Sequence, residues 1–230
     1  MVLKDYRYIR EDINEITDGQ PLYHSILSAI ALSDGKIHAV LKRSRVNEEV
    51  GLPAINTLLE RGIIRSKKCK GADDKLFFTL PFLRFWFAFV SPLFKGVRDG
   101  DFQEVKTRWE SYQNEFTHLP FTELSHAVIR KMQNDDSIME LSQYWKNDGL
   151  ELDIFAKTKS KKRIIGSCKY TNTKVKKSEL SRLDTLAKDA NITYELMIIV
   201  AKKGFSKELK MQKGEKLQLL TLKNFKSLVE

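Results

Sequence analysis

Two pairs of polar residues carry this chain's best prospect of chemistry. Glu151 and Asp153 stand two apart in an apolar-rich run over 150–157, and Ser167 and Lys169 stand two apart in a second run over 163–170. The polar Thr-Lys-Ser-Lys-Lys tip between the runs makes them read as a β-hairpin with a longer loop. Side chains alternate along a strand, so Glu151 and Asp153 share one face while Leu152 and Ile154 share the other. Ser167 and Lys169 likewise share a face. With a turn near Ser160, Asp153 lies opposite Ser167 and Glu151 opposite Lys169. Cross-strand neighbours have Cβ atoms about 5 Å apart, close enough for one small polar site. Taken alone, Asp153 and Lys169 amount to a salt bridge, worth little if exposed.

The basic residues around the hairpin suggest a second chemistry. Residues 157–177 contain Lys157, Lys159, Lys161, Lys162, Arg163, Lys169, Lys174, Lys176 and Lys177, and no acid. A charge run is usually a solvated loop. Here it flanks the polar site on both sides, which suits a phosphate backbone. Tyr170 is the one aromatic in the stretch, so duplex binding is favoured over single-strand base stacking.

The arrangement resembles the PD-(D/E)XK nuclease core, the fold of restriction endonucleases and Holliday-junction resolvases. In that family an Asp on one strand and a (D/E)-x-K pair on the next hold a divalent cation and position a water. The resemblance implies Asp153 as a metal ligand and Cys168-Lys169 as the x-K. Lys169 then orients water or stabilises the developing phosphorane. Ser167 occupies the place of the second acid, and a hydroxyl is a poor substitute where Mg²⁺ wants anionic oxygens. Glu151 or Glu179 could replace it, so the implied Mg²⁺ would rest on Asp153 and Glu151. Glu123, on the helix before the sheet, matches the place where related nucleases supply an extra acid. Without the resemblance, Glu123 and Glu179 are acids near helix starts.

The elements that must position these residues follow from the rest of the chain. Its 230 residues suffice for two small domains or one large one, and 42% hydrophobic and 10% aromatic content fills a core. A net charge of +10 favours an anionic partner, nucleic acid being the usual one. Cys69 and Cys168 form no metal or redox spacing and read as reduced thiols. His118 and His126, eight apart, read as ordinary helix residues. Residues 1–22 are charged throughout, so no signal peptide is expected. The most apolar segment, 82–90, is too short to span a bilayer, and a cytoplasmic location is expected.

In order, residues 1–20 read as a lead-in segment. Helices follow over 22–31, 36–43 and 47–61, then two short strands over 63–66 and 75–80 around a turn at 70–74. That succession is a winged helix-turn-helix, with basic residues at Lys42, Arg43 and Arg45 and on the wing at Arg65, Lys67, Lys68 and Lys70. Glu48 and Glu49 at the start of the third helix would repel phosphate, so a protein-docking role competes with DNA contact. The aromatic run over 82–90 reads as a core helix joining the two halves. Further helices are expected over 101–116 and, after Pro120, over 121–133. Strands over 137–145, 150–157 and 163–170, a helix over 178–190, a strand over 193–201, and a final strand and helix complete the chain. The expected class is α+β in two domains. A winged helix-turn-helix spans 1–80, a helical connector 81–116, and an αβββαβ restriction-endonuclease-like domain 117–230.

The winged-helix stretch, the PFLRFWFAFV run, the FTEL helix start, YWKNDGLELDIFA, and GSCKY followed by KSEL together resemble the C-terminal region of archaeal-type P-loop ATPases. The resemblance covers most of residues 20–205 and implies an ATPase-associated, nuclease-like domain. No G-x-x-x-x-G-K-[ST] occurs, so the chain has no phosphate-cradling P-loop of its own. Three functions remain. One is a DNA-binding protein whose metal site has degenerated. Another is an active Mg²⁺-dependent DNA endonuclease. The third is a regulatory partner domain of an ATPase that touches no DNA.

Overall fold

Helix α1 (Tyr6–Thr17) occupies much of the stretch whose mixed, charged composition predicts only a lead-in. Ile13 and Thr17 are buried, so one face of the helix is held by packing rather than by propensity. The computed structural model describes residues 6–69, 72–132 and 137–229. They belong to two compact units, Met1–Gln113 and Asn114–Glu230. The expected wing residue Lys70 and the turn residue Gly71 lie outside the described residues.

In the first unit α1 is followed by α2 (Pro21–Ala31), α3 (Ile37–Ser44) and α4 (Glu48–Glu60). Pro21 opens α2, where its missing N–H costs nothing. The Ser33-Asp34-Gly35 break works as chemistry predicts, with Asp34 Oδ1 accepting from Lys36 N at 3.1 Å. Gly35 is obligatory there, because its φ is +82° and a Cβ would stand 2.5 Å from Leu76 O. Asn47 caps α4 by accepting from Val50 N at 3.1 Å. Strands β1 (Ile64–Cys69) and β2 (Ala72–Phe78) then pair antiparallel, with Ile64 opposite Phe78.

The aromatic run does not form one regular helix. A short α5 (Pro81–Phe85) passes into a π-helical turn over Trp86–Val90. All five residues of that turn are buried in the first unit. Phe87 stacks on Phe78 at 5.9 Å and Phe89 meets Trp109 edge-on at 5.1 Å. A stretch buried all round cannot keep one face outward, and the widened turn turns every aromatic inward. A short α6 (Phe94–Arg98) follows.

Helix α7 (Gln103–Met132) replaces the two helices expected on either side of Pro120. Proline inside a helix costs about 3 kcal/mol. Buried Phe121, Thr122, Ser125, Val128 and Ile129, all beyond Pro120, outweigh that cost by tying the helix to the second unit's core.

In the second unit the strands are β3 (Ile138–Trp145), β4 (Glu151–Thr158), β5 (Arg163–Lys169), β6 (Leu196–Ala201) and β7 (Leu217–Thr221). They lie in the order β3-β4-β5-β6-β7, antiparallel through β5 and parallel from β5 to β7. Helix α8 (Ser178–Asp189) crosses from β5 to β6, and a one-turn α9 (Lys207–Lys210) from β6 to β7. The sequence reading missed α9, whose start is capped by Ser206 accepting from Leu209 N. A 3₁₀ stretch, Leu222–Leu228, stands where a final helix is expected.

Both faces of the sheet are covered. Phe121, Val128 and Ile129 of α7 pack with Ile154, Ile164, Cys168 and Ile198 on one side. Leu183 and Ala187 of α8 pack with Leu152, Ile165 and Ile199 on the other. The unbroken apolar run of β6 is explained by this double burial.

Candidate functional site

A bulge in β4 decides the geometry of the polar site. Ser142 pairs with Phe155 and Tyr144 with Leu152, so Asp153 and Ile154 together oppose Gln143. One extra residue breaks the alternation. Leu152 accordingly joins the core layer of α8, while Ile154 joins that of α7. The expected shared face of Leu152 and Ile154 is therefore not formed.

The register along β5 runs from Lys157 opposite Arg163 to Ile154 opposite Gly166, where the ladder ends. Beyond it Asp153 uses its side chain in place of the strand ladder. Its Oδ2 accepts the backbone N–H of Cys168 at 2.8 Å. The residue is 9% exposed. Burial pushes its carboxyl above the ordinary range and Glu151 adds to this, against the opposing pull of His118, the Cys168 N–H and Lys169.

Helix α7 supplies partners that the sequence reading missed. His118 Nε2 stands 3.7 Å from Asp153 Oδ1, and His126 donates from Nε2 to the Asp153 carbonyl at 2.7 Å. Between them Thr122 and Ser125, whose hydroxyls donate to His118 O and Phe121 O, stand near the Cys168 thiol, whose pKa is raised by burial and next by Asp153. Positions 118, 122, 125 and 126 recur at helical spacing and form one polar stripe. Pro120, a helix boundary by its sequence signal, falls within this stripe.

The far side of the site is an ion-pair cluster at the first turn of α8. Lys169 Nζ lies 3.2 Å from Glu179 Oε1. Arg182 grips the same carboxylate through Nη2 at 2.5 Å and Nε at 3.0 Å. Burial alone would raise Glu179. Hydrogen bonds and charge from Arg182, with the charge of Lys169, hold it below its ordinary value instead. Ser167 Oγ is buried nearby and has no hydrogen-bond partner among the described residues.

Folding sorts the remaining expected site residues. Glu151 is half-buried at the start of β4, near enough to Asp153 to act on it, with Gln143 Nε2 3.4 Å from its Oε1. Glu123 is exposed on α7 and is not among Asp153's partners. The basic run, continuous in sequence, is split between the two ends of β5. Lys157, Lys159, Lys161, Lys162 and Arg163 are exposed around the β4–β5 turn, and Arg163 is held by Thr193. Lys174, Lys176 and Lys177 are exposed at the other end, beside Lys169. Seven residues of strand separate the two groups by about 20 Å. In the first unit Arg65 and Lys67 on β1 lie over the Phe77 ring at 5.8 and 4.6 Å, and Lys68 is exposed.

At the Lys169 end a pocket of about 270 Å³ opens, its lining including Lys169, Lys174, Lys176, Val175, Ser178 and Glu179. Helix α8 starts there, and its dipole adds to the positive potential although Glu179 N and Leu180 N already donate to Lys176 O and Lys177 O. The donor set does not fit a resident Mg²⁺. Among the described residues no three acids, imidazoles or thiols gather as a metal cluster. One Asp153 oxygen and both of Glu179 already serve Cys168, Lys169 and Arg182. The arrangement suits holding a phosphate oxygen more than polarising one through a metal.

A family model described as "Archaea bacterial proteins of unknown function" matches residues 86–181, less than half of the chain. The matched stretch runs from the π-helical turn to the first turn of α8, so it includes Asp153, Ser167 and Lys169. No curated protein matches the chain. Among solved structures, protein VC1899 from Vibrio cholerae is similar at 13% identity with a TM-score of 0.36. That match covers 91% of this chain, which spans only 55% of the Vibrio protein. No helix among the described residues is long and apolar enough to cross a membrane.

Proposed function

We propose that the chain is a DNA-binding protein on a nuclease-like fold, with a winged helix in its first unit, that holds phosphate without cutting it. One observation carries this reading: the lysine-lined pocket at the start of α8, whose Lys169 is near enough to Asp153 to act on it. Its cations and helix N-terminus suit a backbone phosphate, and the acid in its lining, Glu179, is already committed to Arg182 and Lys169. The order α7-β3-β4-β5-α8-β6 supports the nuclease-like reading, and the α2-α3-α4-β1-β2 order supports the winged helix.

A second reading, Mg²⁺-dependent cleavage, requires Glu179 to exchange its contacts with Arg182 for a metal, and it rests on the nearness of that carboxylate to Lys169, where an acid is missing at Ser167. Labelled duplex and branched DNA, incubated with Mg²⁺, Mn²⁺ or EDTA and run on native and denaturing gels, tests both. The expected result is a salt-sensitive shift of uncut DNA. Metal-dependent cutting that vanishes in Asp153→Ala and Lys169→Ala would replace the first reading with the second. No shift even at low salt would sink both and leave a docking role beside a P-loop ATPase.

A further inference from the structure

The first unit contains a cavity of about 610 Å³ whose lining includes Arg43, Arg108, Ser25, Ser28 and His24, and neither Asp nor Glu. Its size is that of a small-molecule site and far exceeds a bare anion. Arg43 comes from α3 and Arg108 from α7. Their guanidiniums lie 5.9 and 5.3 Å from the ring centroid of Tyr112 and share it between them.

Among the described residues neither arginine has an ion-pair partner, so two like charges converge uncompensated. Burial lowers the Arg108 pKa and Arg43 lowers it further, while Tyr112 opposes them. Arg108 Nε donates to Ala88 O at 2.6 Å. That contact fixes the guanidinium and leaves its two terminal nitrogens for a bidentate contact. The Ser25 and Ser28 hydroxyls line the same space. His24 is already engaged, with Nδ1 2.9 Å from Ser91 Oγ and Nε2 3.1 Å from Thr17 Oγ1.

We infer that this cavity binds the phosphoryl group of a nucleotide-sized small molecule, with Arg43 and Arg108 clamping its oxygens. A dianion cancels the repulsion between the guanidiniums, and the volume left over accommodates a sugar-sized or base-sized remainder. The site lies wholly within the first unit and does not depend on DNA binding at α8.

Calorimetric titration of the full chain at constant ionic strength tests this. The probes are inorganic phosphate, adenosine monophosphate, adenosine, and a short duplex. Adenosine monophosphate should bind, phosphate should bind more weakly, and adenosine should not bind. Arg43 is exposed, so Arg43→Gln should fold normally by circular dichroism. It should lose at least about tenfold in affinity, the loss expected when one charge-assisted contact goes. Arg108→Gln should lose as much, and Arg43→Lys should recover part of the loss. Lys106→Gln, an equal charge change on the same helix, should bind as the wild type does. Absence of binding by both phosphate-bearing small probes overturns the inference, as does unchanged affinity in Arg43→Gln. Arg43-dependent binding of duplex alone would also overturn it, by making the phosphate one of the DNA backbone.

Discussion

Replacing Asp153 by Asn, and separately by Ala, separates the two things this residue does. Its carboxyl is 9% exposed and is pushed above its ordinary value of 3.8, first by burial and also by Glu151, against His118, the Cys168 N–H and Lys169. The folded state therefore binds this proton more tightly than the unfolded chain does. Stability contributed at this site falls as pH rises from 3.8, and the penalty is complete once pH exceeds the raised folded value. Each pH unit of displacement is worth about 1.4 kcal/mol.

Asparagine removes the charge and keeps an oxygen to accept from Cys168 N, now 2.8 Å from Asp153 Oδ2. The lost contact with half-exposed His118 is worth little. Asp153→Asn should be more stable than the wild type at pH 7, read as a higher melting temperature. The gain should shrink as pH approaches 4. Asp153→Ala removes the same charge and leaves the buried Cys168 N–H without an acceptor, which costs about 1–3 kcal/mol. Calorimetric melting at pH 7 and pH 4.5, with amide exchange at Cys168, reads both effects. Equal stability of the Asn and Ala variants would refute the acceptor role. An Asn variant less stable than the wild type at pH 7 would refute the buried-charge argument.

Three further outcomes follow from particular contacts. Gly166→Ala would place a Cβ 1.9 Å from Ile198 O and 3.1 Å from Ile154 Cδ1. It should destabilise by at least about 3 kcal/mol, seen as a lowered urea midpoint for the second unit. Asn47→Ala removes the acceptor that caps α4 through Val50 N and should cost about 0.5–2 kcal/mol by the same measurement. For DNA, Lys174→Gln with Lys176→Gln should reduce the slope of log affinity against log salt by about 1.8. Lys159→Gln with Lys161→Gln, about 20 Å away along β5, should change it less if the α8 pocket seats the phosphate.

Much of the fold was legible in the chain because local periodicity and burial agree there. The Val/Ile-rich run of β6, the Pro at the start of α2 and the Asn cap of α4 each state their structure in a few residues. The hairpin register from Lys157–Arg163 to Ile154–Gly166 was likewise readable from where the polar tip falls. The nearness of Glu179 to Lys169 follows from its place in the first turn of the next helix.

What the sequence could not state is what depends on partners distant along the chain. The β4 bulge at Asp153 exists because β3 pairs on both sides of it, and no local signal marks the extra residue. The continuity of α7 through Pro120 depends on burial of Phe121, Val128 and Ile129 against the sheet, and that packing brings His118 and His126 to Asp153. The split of the basic run is a matter of strand length in space, which a string of lysines does not encode. The meeting of Arg43 and Arg108 over Tyr112 joins residues that only the tertiary fold brings into contact. Residue types and short spacings determined which elements form; long-range packing decided which side chains face one another.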